Sequence, residues 1–203
     1  SEFYTLRILD TTTGETLPDV IEGTYGDFEW ADDQTLFWVW RDDNNRPARI
    51  YRHTLGQDGS TLVYEETDPG YFLGVGKTED GSHILLAANN HTTTEYRYIP
   101  TATPGAEPRL IAAREPGTEY TPTIWNGQWL FLTNLEWSKD YKIMTAPLND
   151  PARETWTDLV PHRPGTLVLS MIATKNYLVR LERENGLPRL IVRNVDGEEH
   201  AIS

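Results

Sequence analysis

The sequence contains no cysteine and no apolar run longer than five residues. Without cysteine there is no disulfide, no thiolate nucleophile and no cysteine-ligated metal. A run of five is far short of the ~20 apolar residues with which a helix spans a bilayer, so no membrane partner is expected. The lack of disulfides is compatible with a reducing compartment. We therefore expect a cytoplasmic location, with the periplasm as the alternative.

Basic residues are also scarce, because 18 lysines and arginines stand against 31 aspartates and glutamates and leave a net charge of −13. Nucleic-acid binding depends on basic side chains that release counterions from phosphates, so no nucleic-acid partner is expected. The acidic excess favours cationic partners or substrates, mainly by speeding their encounter with the protein. The alternative interpretation is that the charge only keeps the protein in solution.

Recognised catalytic and cofactor motifs are missing as well. No serine lies in GxSxG, and neither GxGxxG nor the phosphate-binding GxxxxGK[ST] occurs. No histidine pair has the HExxH spacing of a zinc site, and His53 and His83 fall on predicted strands, where ordinary structural roles are expected. We therefore predict no catalytic residue, no metal ligand and no cofactor site in this chain.

Two groups of residues leave alternatives open. Asp32–Asp33 and Asp42–Asn45 could hold calcium, but they lack the EF-hand spacing, and turns are the preferred interpretation. The seven tryptophans could form a sugar-stacking face, but at least five of them lie on predicted strands, where core filling is expected. The sequence therefore predicts turns and core packing at these positions.

The sequence does contain a repeat of 46 to 48 residues. Glycines and prolines separate short segments rich in Val, Ile, Leu, Tyr, Trp and Thr, the pattern of many short strands. Turn signals such as Asp80-Gly81 and Asn126-Gly127 precede the most apolar segments, and such pairs supply the positive φ of tight hairpins. The core residues of these segments are spaced by 47, 46 and 48: Phe37, Ile84, Leu130 and Leu178.

Three further strand families follow the same period, so each repeat contains four strands. This is typical of a β-propeller blade, whereas a β-sandwich would not repeat its hydrophobic pattern at constant spacing. The chain has no initiator methionine, and a leading half blade has no trailing counterpart. We therefore expect residues 1–203 to be one partial domain of a larger propeller. This all-β β-propeller fragment has about four and a half antiparallel blades: a half blade at 3–20 and blades at about 27–66, 71–113, 119–160 and 166–202.

A specific family resemblance begins at Ile50–Gly56, which reads IYRHTLG. The run Leu62–Phe72 resembles the YEExDxxY/F stretch in the propeller of prolyl-oligopeptidase-type serine peptidases, and TTTEYR at Thr92–Arg97 is similar to the same family. The order and spacing of these segments resemble the oligopeptidase B (protease II) branch most. The likeness covers most of residues 3–202, and after Trp125 it consists mainly of the repeat pattern.

The resemblance implies a two-domain serine peptidase. A seven-bladed propeller would cover an α/β-hydrolase domain with a Ser, Asp, His triad, and short peptides would be cleaved after Arg or Lys. The triad and the pocket for the basic side chain would belong to the hydrolase domain, which is absent from this chain. The implied partners are therefore that domain and short cationic peptides. The propeller would admit oligopeptides and exclude large folded proteins.

Three carboxylates are the candidate site residues. Glu65, Glu66 and Asp68 lie where the chain is expected to cross from an outer strand to the innermost strand of the next blade. The functional interpretation is a contact to the hydrolase domain or to the mouth of the tunnel. The structural alternative, which we prefer, is a hydrogen-bonded anchor between blades.

The rival functional hypothesis is a non-catalytic propeller that serves as a protein-interaction platform. A GxSxG segment downstream in the parent reading frame would favour the peptidase, and its absence would favour the platform. In either case the two terminal blades would each present an apolar face that lacks its neighbour. Such faces promote association, so we expect the segment to self-associate.

Overall fold

The computed structural model describes residues 3–202, which form seventeen β-strands and one 3₁₀ turn at Arg153–Thr155. The strands belong to four antiparallel sheets, each of which follows the order of the sequence. Within the described residues, no helix is long and apolar enough to cross a membrane. The chain is therefore all-β, as the repeat of short apolar segments predicts.

The first sheet has five strands and the other three have four each. The first contains β1 (Tyr4–Leu9), β2 (Thr16–Trp30), β3 (Thr35–Arg41), β4 (Pro47–Thr54) and β5 (Thr61–Glu65). The second contains β6 (Phe72–Lys77), β7 (His83–Asn89), β8 (Thr94–Pro100) and β9 (Arg109–Ala112). The third contains β10 (Tyr120–Trp125), β11 (Gln128–Thr133), β12 (Lys142–Pro147) and β13 (Thr157–Val160). The fourth contains β14 (Thr166–Ala173), β15 (Tyr177–Glu184), β16 (Leu187–Asn194) and β17 (Glu199–Ile202).

The first sheet differs from the sequence prediction. The half blade expected at 3–20 is not a separate sheet, because its outer strand and the innermost strand of the next blade are one strand, β2. The first part of β2 pairs with β1 and the last part pairs with β3, with a break in register between Thr24 and Phe28. The chain keeps its direction here, so no turn residues mark a boundary. Gly23 and Gly26, with φ of 72° and 107°, accommodate the irregularity.

The four repeat residues lie on equivalent strands. Phe37, Ile84, Leu130 and Leu178 belong to β3, β7, β11 and β15, the second strand of each blade, and each is at most 1% exposed. Each of these strands lies between two others, so the strand contributes side chains to both faces of its sheet. The constant spacing of apolar segments therefore reflects one recurring buried position.

The chain forms two compact units. The first contains the residues up to Lys77 together with 83–90 and 97–109, and the second contains 78–82, 91–96 and the residues from Leu110 onward. The core of the first unit is an apolar cluster contributed by two sheets: Phe37, Val39, Ile50, Tyr71, Leu73, Ile84, Leu86, Ala88 and Ile99. On the other face of β3, Leu36 and Trp38 form a second cluster with Ile21 of β2, against which Leu6 and Ile8 of β1 pack.

The second unit has an apolar cluster and a group of stacked aromatic rings. The cluster joins the third and fourth sheets through Leu130, Ile143, Val168, Leu178 and their neighbours. The rings of Phe131 and Trp156 stack with centroids 3.9 Å apart, and Tyr120 meets Trp156 edge-on at 5.3 Å. Burying an aromatic side chain of this kind contributes about 1.5–3 kcal/mol. Tryptophan thus fills the core here, as the strand positions predict.

Candidate functional site

The three predicted carboxylates lie at the crossover between β5 and β6, where Glu65 and Asp68 are exposed and Glu66 is buried. They do not converge on one site. Glu65 pairs with Arg49 across 2.8 Å. Glu66 accepts the backbone N–H of Asp68 at 2.9 Å, and Asp68 in turn accepts the N–H of Gly70 at 2.8 Å. The hydrogen bonds of Glu66 and Asp68 span two residues each and shape the local turn, so an anchor between blades and a role at the hydrolase domain or tunnel mouth both stay predictions.

Arg46 holds this crossover in place, a role that the sequence did not indicate. Its guanidinium donates to the carbonyl oxygens of Glu66, Asp68 and Tyr71 at 3.1, 3.0 and 3.2 Å. The same side chain pairs with Asp42 at 3.2 Å. Arg46 belongs to the hairpin between β3 and β4, so one side chain fixes the hairpin to the crossover. The planar guanidinium suits this task because it donates several hydrogen bonds in fixed directions.

Asp42 organises the turn that presents Arg46. Its carboxylate accepts the backbone N–H groups of Asn44 and Arg46 at 2.9 and 3.0 Å. The hydrogen bond from the N–H of Arg46 is the main cause that lowers the pKa of Asp42. Asp32 similarly accepts the N–H of Gln34 at 2.8 Å. Both acidic segments for which calcium was an alternative are thus organised by turn hydrogen bonds.

The second unit contains a comparable arrangement on the hairpin between β11 and β12. Asp140 accepts the backbone N–H of Gly165 at 2.8 Å through its carboxylate and that of Val168 at 2.9 Å through its carbonyl. At the other end of the hairpin, Asn134 accepts the backbone N–H of Glu119 at 2.8 Å. This hairpin therefore binds the segments that precede β10 and β14. In both units, polar hairpin residues fix the chain where it crosses between sheets.

His53 forms a buried pair with Asp19 in the first unit. The distance from Nε2 to Oδ1 is 2.8 Å, and each side chain is 5% exposed. Asp19 also accepts the backbone N–H of Gly56 at 2.8 Å. The hydrogen bond from His53 is the main cause that lowers the pKa of Asp19. The pair joins β2 to β4 and to the loop after β4, so His53 has the structural role expected of a strand position.

Ser60 completes a Ser, His, Asp sequence of contacts, but the geometry does not activate its hydroxyl. Nδ1 of His53 lies 2.9 Å from the carbonyl oxygen of Gly59 and 3.3 Å from Ser60 Oγ. A carbonyl oxygen only accepts, so Nδ1 must donate and cannot take a proton from Ser60. Ser60 Oγ also accepts the indole N–H of Trp38 at 3.1 Å. The open hollow of about 610 Å³ beside this group therefore holds no activated nucleophile.

A network of buried charges lies on the fourth sheet. Arg180 and Glu182 of β15 are each 4% exposed and lie 2.7 Å apart. Arg180 also forms two hydrogen bonds of 2.8 Å with the carboxylate of Glu199 on β17, and Arg163 reaches Glu182 at 2.6 Å. The hydrogen bonds from Arg180 are the main cause that lowers the pKa of Glu199 to about 2. These charges satisfy one another within the unit.

The repeated antiparallel sheets, with one equivalent buried residue in each second strand, define a partial β-propeller. The sequence matches the family described as "Prolyl oligopeptidase, N-terminal beta-propeller domain" over residues 1–202. The chain therefore belongs to this family, which confirms the resemblance seen in segments such as Leu62–Phe72.

Two curated relatives extend this result. The chain is 34% identical to dipeptidyl aminopeptidase BI of Pseudoxanthomonas mexicana, over 98% of this chain and 28% of that protein. It is 31% identical to protease 2 of Moraxella lacunata, over 98% of this chain and 29% of that protein. The chain thus spans less than a third of the length of the curated relatives it matches.

Among solved structures, oligopeptidase B from Leishmania major superposes with a TM-score of 0.91. The alignment covers 100% of this chain and 30% of that chain, with 23% sequence identity. At this level of identity the likeness concerns the fold.

Proposed function

We propose that this chain is part of the gating propeller of a serine oligopeptidase that cleaves short peptides after Arg or Lys. The observation that carries the proposal is the match of residues 1–202 to the N-terminal propeller of the prolyl oligopeptidase family. The catalytic triad would belong to an α/β-hydrolase domain of the parent protein. The chain would then contribute to controlled access and not to bond cleavage.

Rigid connections between sheets support a gating role. A gate that excludes folded proteins must not open by fraying where the chain crosses from one sheet to the next. Arg46 in the first unit and Asp140 in the second fix these crossovers by hydrogen bonds to backbone groups. Hydrogen-bonded backbone groups at the crossovers resist local unfolding. A propeller that resists local unfolding is suited to admit flexible peptides and to exclude folded domains.

The charge of the chain supports a preference for cationic peptides. The net charge of −13 attracts basic peptides over distances comparable to the Debye length of about 8–10 Å. Glu65 and Asp68 are exposed carboxylates at a crossover. In the parent enzyme, Glu65→Gln with Asp68→Asn should raise KM for a cationic peptide at low salt and leave kcat unchanged. An equal effect at high salt would indicate a structural role instead.

A second activity is supported by the name of one relative, dipeptidyl aminopeptidase BI, which is 34% identical to the chain. An enzyme that removes dipeptides needs a free α-amino group on its substrate, whereas an oligopeptidase accepts a blocked one. The two activities therefore differ in a single chemical requirement at the amino terminus of the substrate. Both would place the same restriction on substrate size.

The test uses the full-length parent protein and pairs of chromogenic amides. We expect cleavage of an amino-blocked arginine amide, little cleavage of the matched alanine amide, and no cleavage of the arginine sequence inside a folded protein. Cleavage confined to substrates with a free amino terminus would identify the dipeptidyl activity instead. No hydrolysis of any of these substrates by a folded parent would favour the interaction platform.

We also propose that the isolated segment self-associates. The fourth sheet exposes apolar side chains such as Ile172 and Leu187, which are 53% and 65% exposed. Exposed apolar area of this kind promotes association between copies. Light scattering at tens of micromolar should report a species larger than the monomer. A well-folded and strictly monomeric segment would contradict this proposal.

A further inference from the structure

The hairpin between β11 and β12 is longer than its counterparts in the other sheets. It has eight residues, 134–141, whereas the hairpin between β3 and β4 has five, that between β7 and β8 has four, and that between β15 and β16 has two. The difference is confined to one repeat, so it is not a requirement of the blade fold. A feature specific to one blade calls for a local explanation.

This hairpin carries an exposed tryptophan. Trp137 is 91% exposed, whereas Trp129 and Trp156 in the same unit are 0% and 7% exposed. A large aromatic side chain that projects into water gives up the free energy that burial would supply. Single exposed apolar residues are ordinary, but tryptophan is one of the residue types enriched among the residues that contribute most to binding at protein interfaces.

The hairpin that carries this side chain is held in place by contacts at both ends. Glu136 and Trp137 have φ of 58° and 61°, a left-handed conformation that bulky residues rarely adopt. Lys142, whose side chain is 4% exposed, binds Glu136 at 2.7 Å. On the opposite arm, the hydroxyl of Tyr141 donates to Glu119 at 2.6 Å. An exposed side chain on a braced hairpin loses little conformational entropy when it is covered.

The surroundings of Trp137 combine apolar and polar side chains. A hollow of about 390 Å³ lies beside it, lined by Pro116, Gly117 and Leu135 and also by Thr118, Asn134 and Lys139. Two carboxylates that border the hollow are already paired, Glu115 with Arg153 and Glu136 with Lys142. With both carboxylates paired, Lys139 leaves the lining with a positive charge, which argues against a cationic peptide as the occupant. Trp137 lies in a hairpin at the end of a sheet, and pairing of strand edges between two copies would join the sides of the sheets and leave this hairpin uncovered.

We propose that the Trp137 hairpin is a docking element for the α/β-hydrolase domain of the parent protein. The inference rests on the proposed function, which supplies that domain, and on the large part of the relatives' length that this chain does not cover: 28% and 29% of two relatives are matched. The complementary surface is an apolar recess that receives the indole. Trp137 acts there as an anchor and takes no part in catalysis.

The first experiment is hydroxyl-radical footprinting of this chain and of the full-length parent under identical conditions. Trp137 should be oxidised readily in the chain and several-fold more slowly in the parent. Leu148, which is 44% exposed and follows β12 at the opposite end of the same sheet, is the matched control and should react equally in both. Equal oxidation of Trp137 in both proteins would overturn the proposal. Protection that appears in the chain alone and grows with concentration would also overturn it, in favour of a second copy.

A second experiment compares Trp137→Ala with Leu148→Ala in the parent. Trp137→Ala should leave the melting temperature of the isolated chain unchanged. In the full-length parent protein, the same substitution should make the two domains unfold in separate urea transitions. Leu148→Ala should leave the parent's unfolding as it is. If Trp137 is protected but the parent does not hydrolyse arginine amides, the docking proposal stands and the proposed specificity fails. If hydrolysis occurs and Trp137 is unprotected, the docking proposal fails alone.

Discussion

Two central strands, β3 in the first unit and β15 in the second, bury different chemistry along one face. Phe37 and Val39 of β3 belong to a cluster made only of apolar side chains, and a buried charge, Arg41, follows only at the last position of the strand. In the second unit, β15 begins the same way with Leu178, but Arg180 and Glu182 follow at the next alternate positions and are as deeply buried. β3 is the third of five strands and β15 the second of four, and each is paired with a strand on either side. The fold therefore requires that this face be filled, and not that it be apolar.

The apolar cluster and the buried ion network differ in how their stability responds to a substitution. An apolar cluster loses free energy in proportion to the volume removed, and the loss stays local. A buried ion network depends on every member, because removing one charge leaves its partner desolvated and unpaired. Arg180 is the member with the most partners, since it bonds to both Glu182 and Glu199. Four experiments test this difference.

The largest effect is expected in the apolar cluster. Phe37→Ala should lower the free energy of unfolding by about 3–5 kcal/mol, because the side chain is fully buried and leaves a cavity. Phe28→Ala removes the same side chain from a site that is 47% exposed in the same unit and should cost much less. Chemical denaturation measures both variants. Equal losses would mean that burial at Phe37 does not determine its contribution.

The ionic face should be nearly as sensitive. Arg180→Met should cost about 2–4 kcal/mol, because Glu182 and Glu199 lose their shared partner. Arg189, which is 53% exposed and pairs with Glu184, is the matched control, and Arg189→Met should cost less than about 1 kcal/mol. If the two variants were equally stable in urea, the buried network would contribute no more than a surface ion pair.

Acid should distinguish the ion network around Arg180 from the apolar cluster around Phe37. The pKa of Glu199 is lowered from 4.5 to about 2, so its stabilisation is complete above about pH 4.5 and is lost as the pH falls towards 2. The loss should be about 1–3 kcal/mol after allowance for partial exposure of the carboxylate. Denaturation at a series of pH values should show this loss of stability in the unsubstituted chain and a smaller loss in the Arg180→Met variant. Phe37→Ala should keep the full pH dependence.

The smallest effect is expected when the ionic face is made apolar. The double variant Arg180→Met with Glu182→Leu should be less destabilised than Arg180→Met alone. Its free energy of unfolding should lie within about 1 kcal/mol of that of the unsubstituted chain. Glu199 keeps Arg193 as a partner at 2.9 Å, and Arg163 is 51% exposed and can return to water. If the double variant were less stable than the single one, the charges would contribute to the fold by more than the space they fill.

The buried repeat positions could be predicted because each is recorded locally in the sequence. Phe37 and Leu178 follow turn residues and start apolar segments, and the pattern needs no knowledge of distant contacts. The contacts of Asp19 and Arg46 could not be predicted in this way. Asp19 meets His53 across 34 residues, and Arg46 binds carbonyl groups up to 25 residues away. Such pairs exist only after the sheets have packed.

The site residues show the same limit. Glu65, Glu66 and Asp68 were found from a family motif, which gave their position at a crossover and left their partners unknown. Trp137 carried no signal that set it apart from the tryptophans of the core, because composition does not reveal which rings project from a hairpin. Its exposure depends on a left-handed backbone that no glycine marks.

The long strand β2 couples the register of its pairing with β1 to the register of its pairing with β3. Its first part is held against β1 and its last part against β3, so a single unbroken backbone carries the pairing from one to the other. Side chains alternate between faces along a strand, and a shift of one residue exchanges the inner set for the outer set. A deletion within a regularly paired part of β2, away from the irregularity between Thr24 and Phe28, would therefore turn the side chains on one side of the deletion to the wrong face. Natural variation in length should accordingly accumulate in the hairpins and avoid this strand.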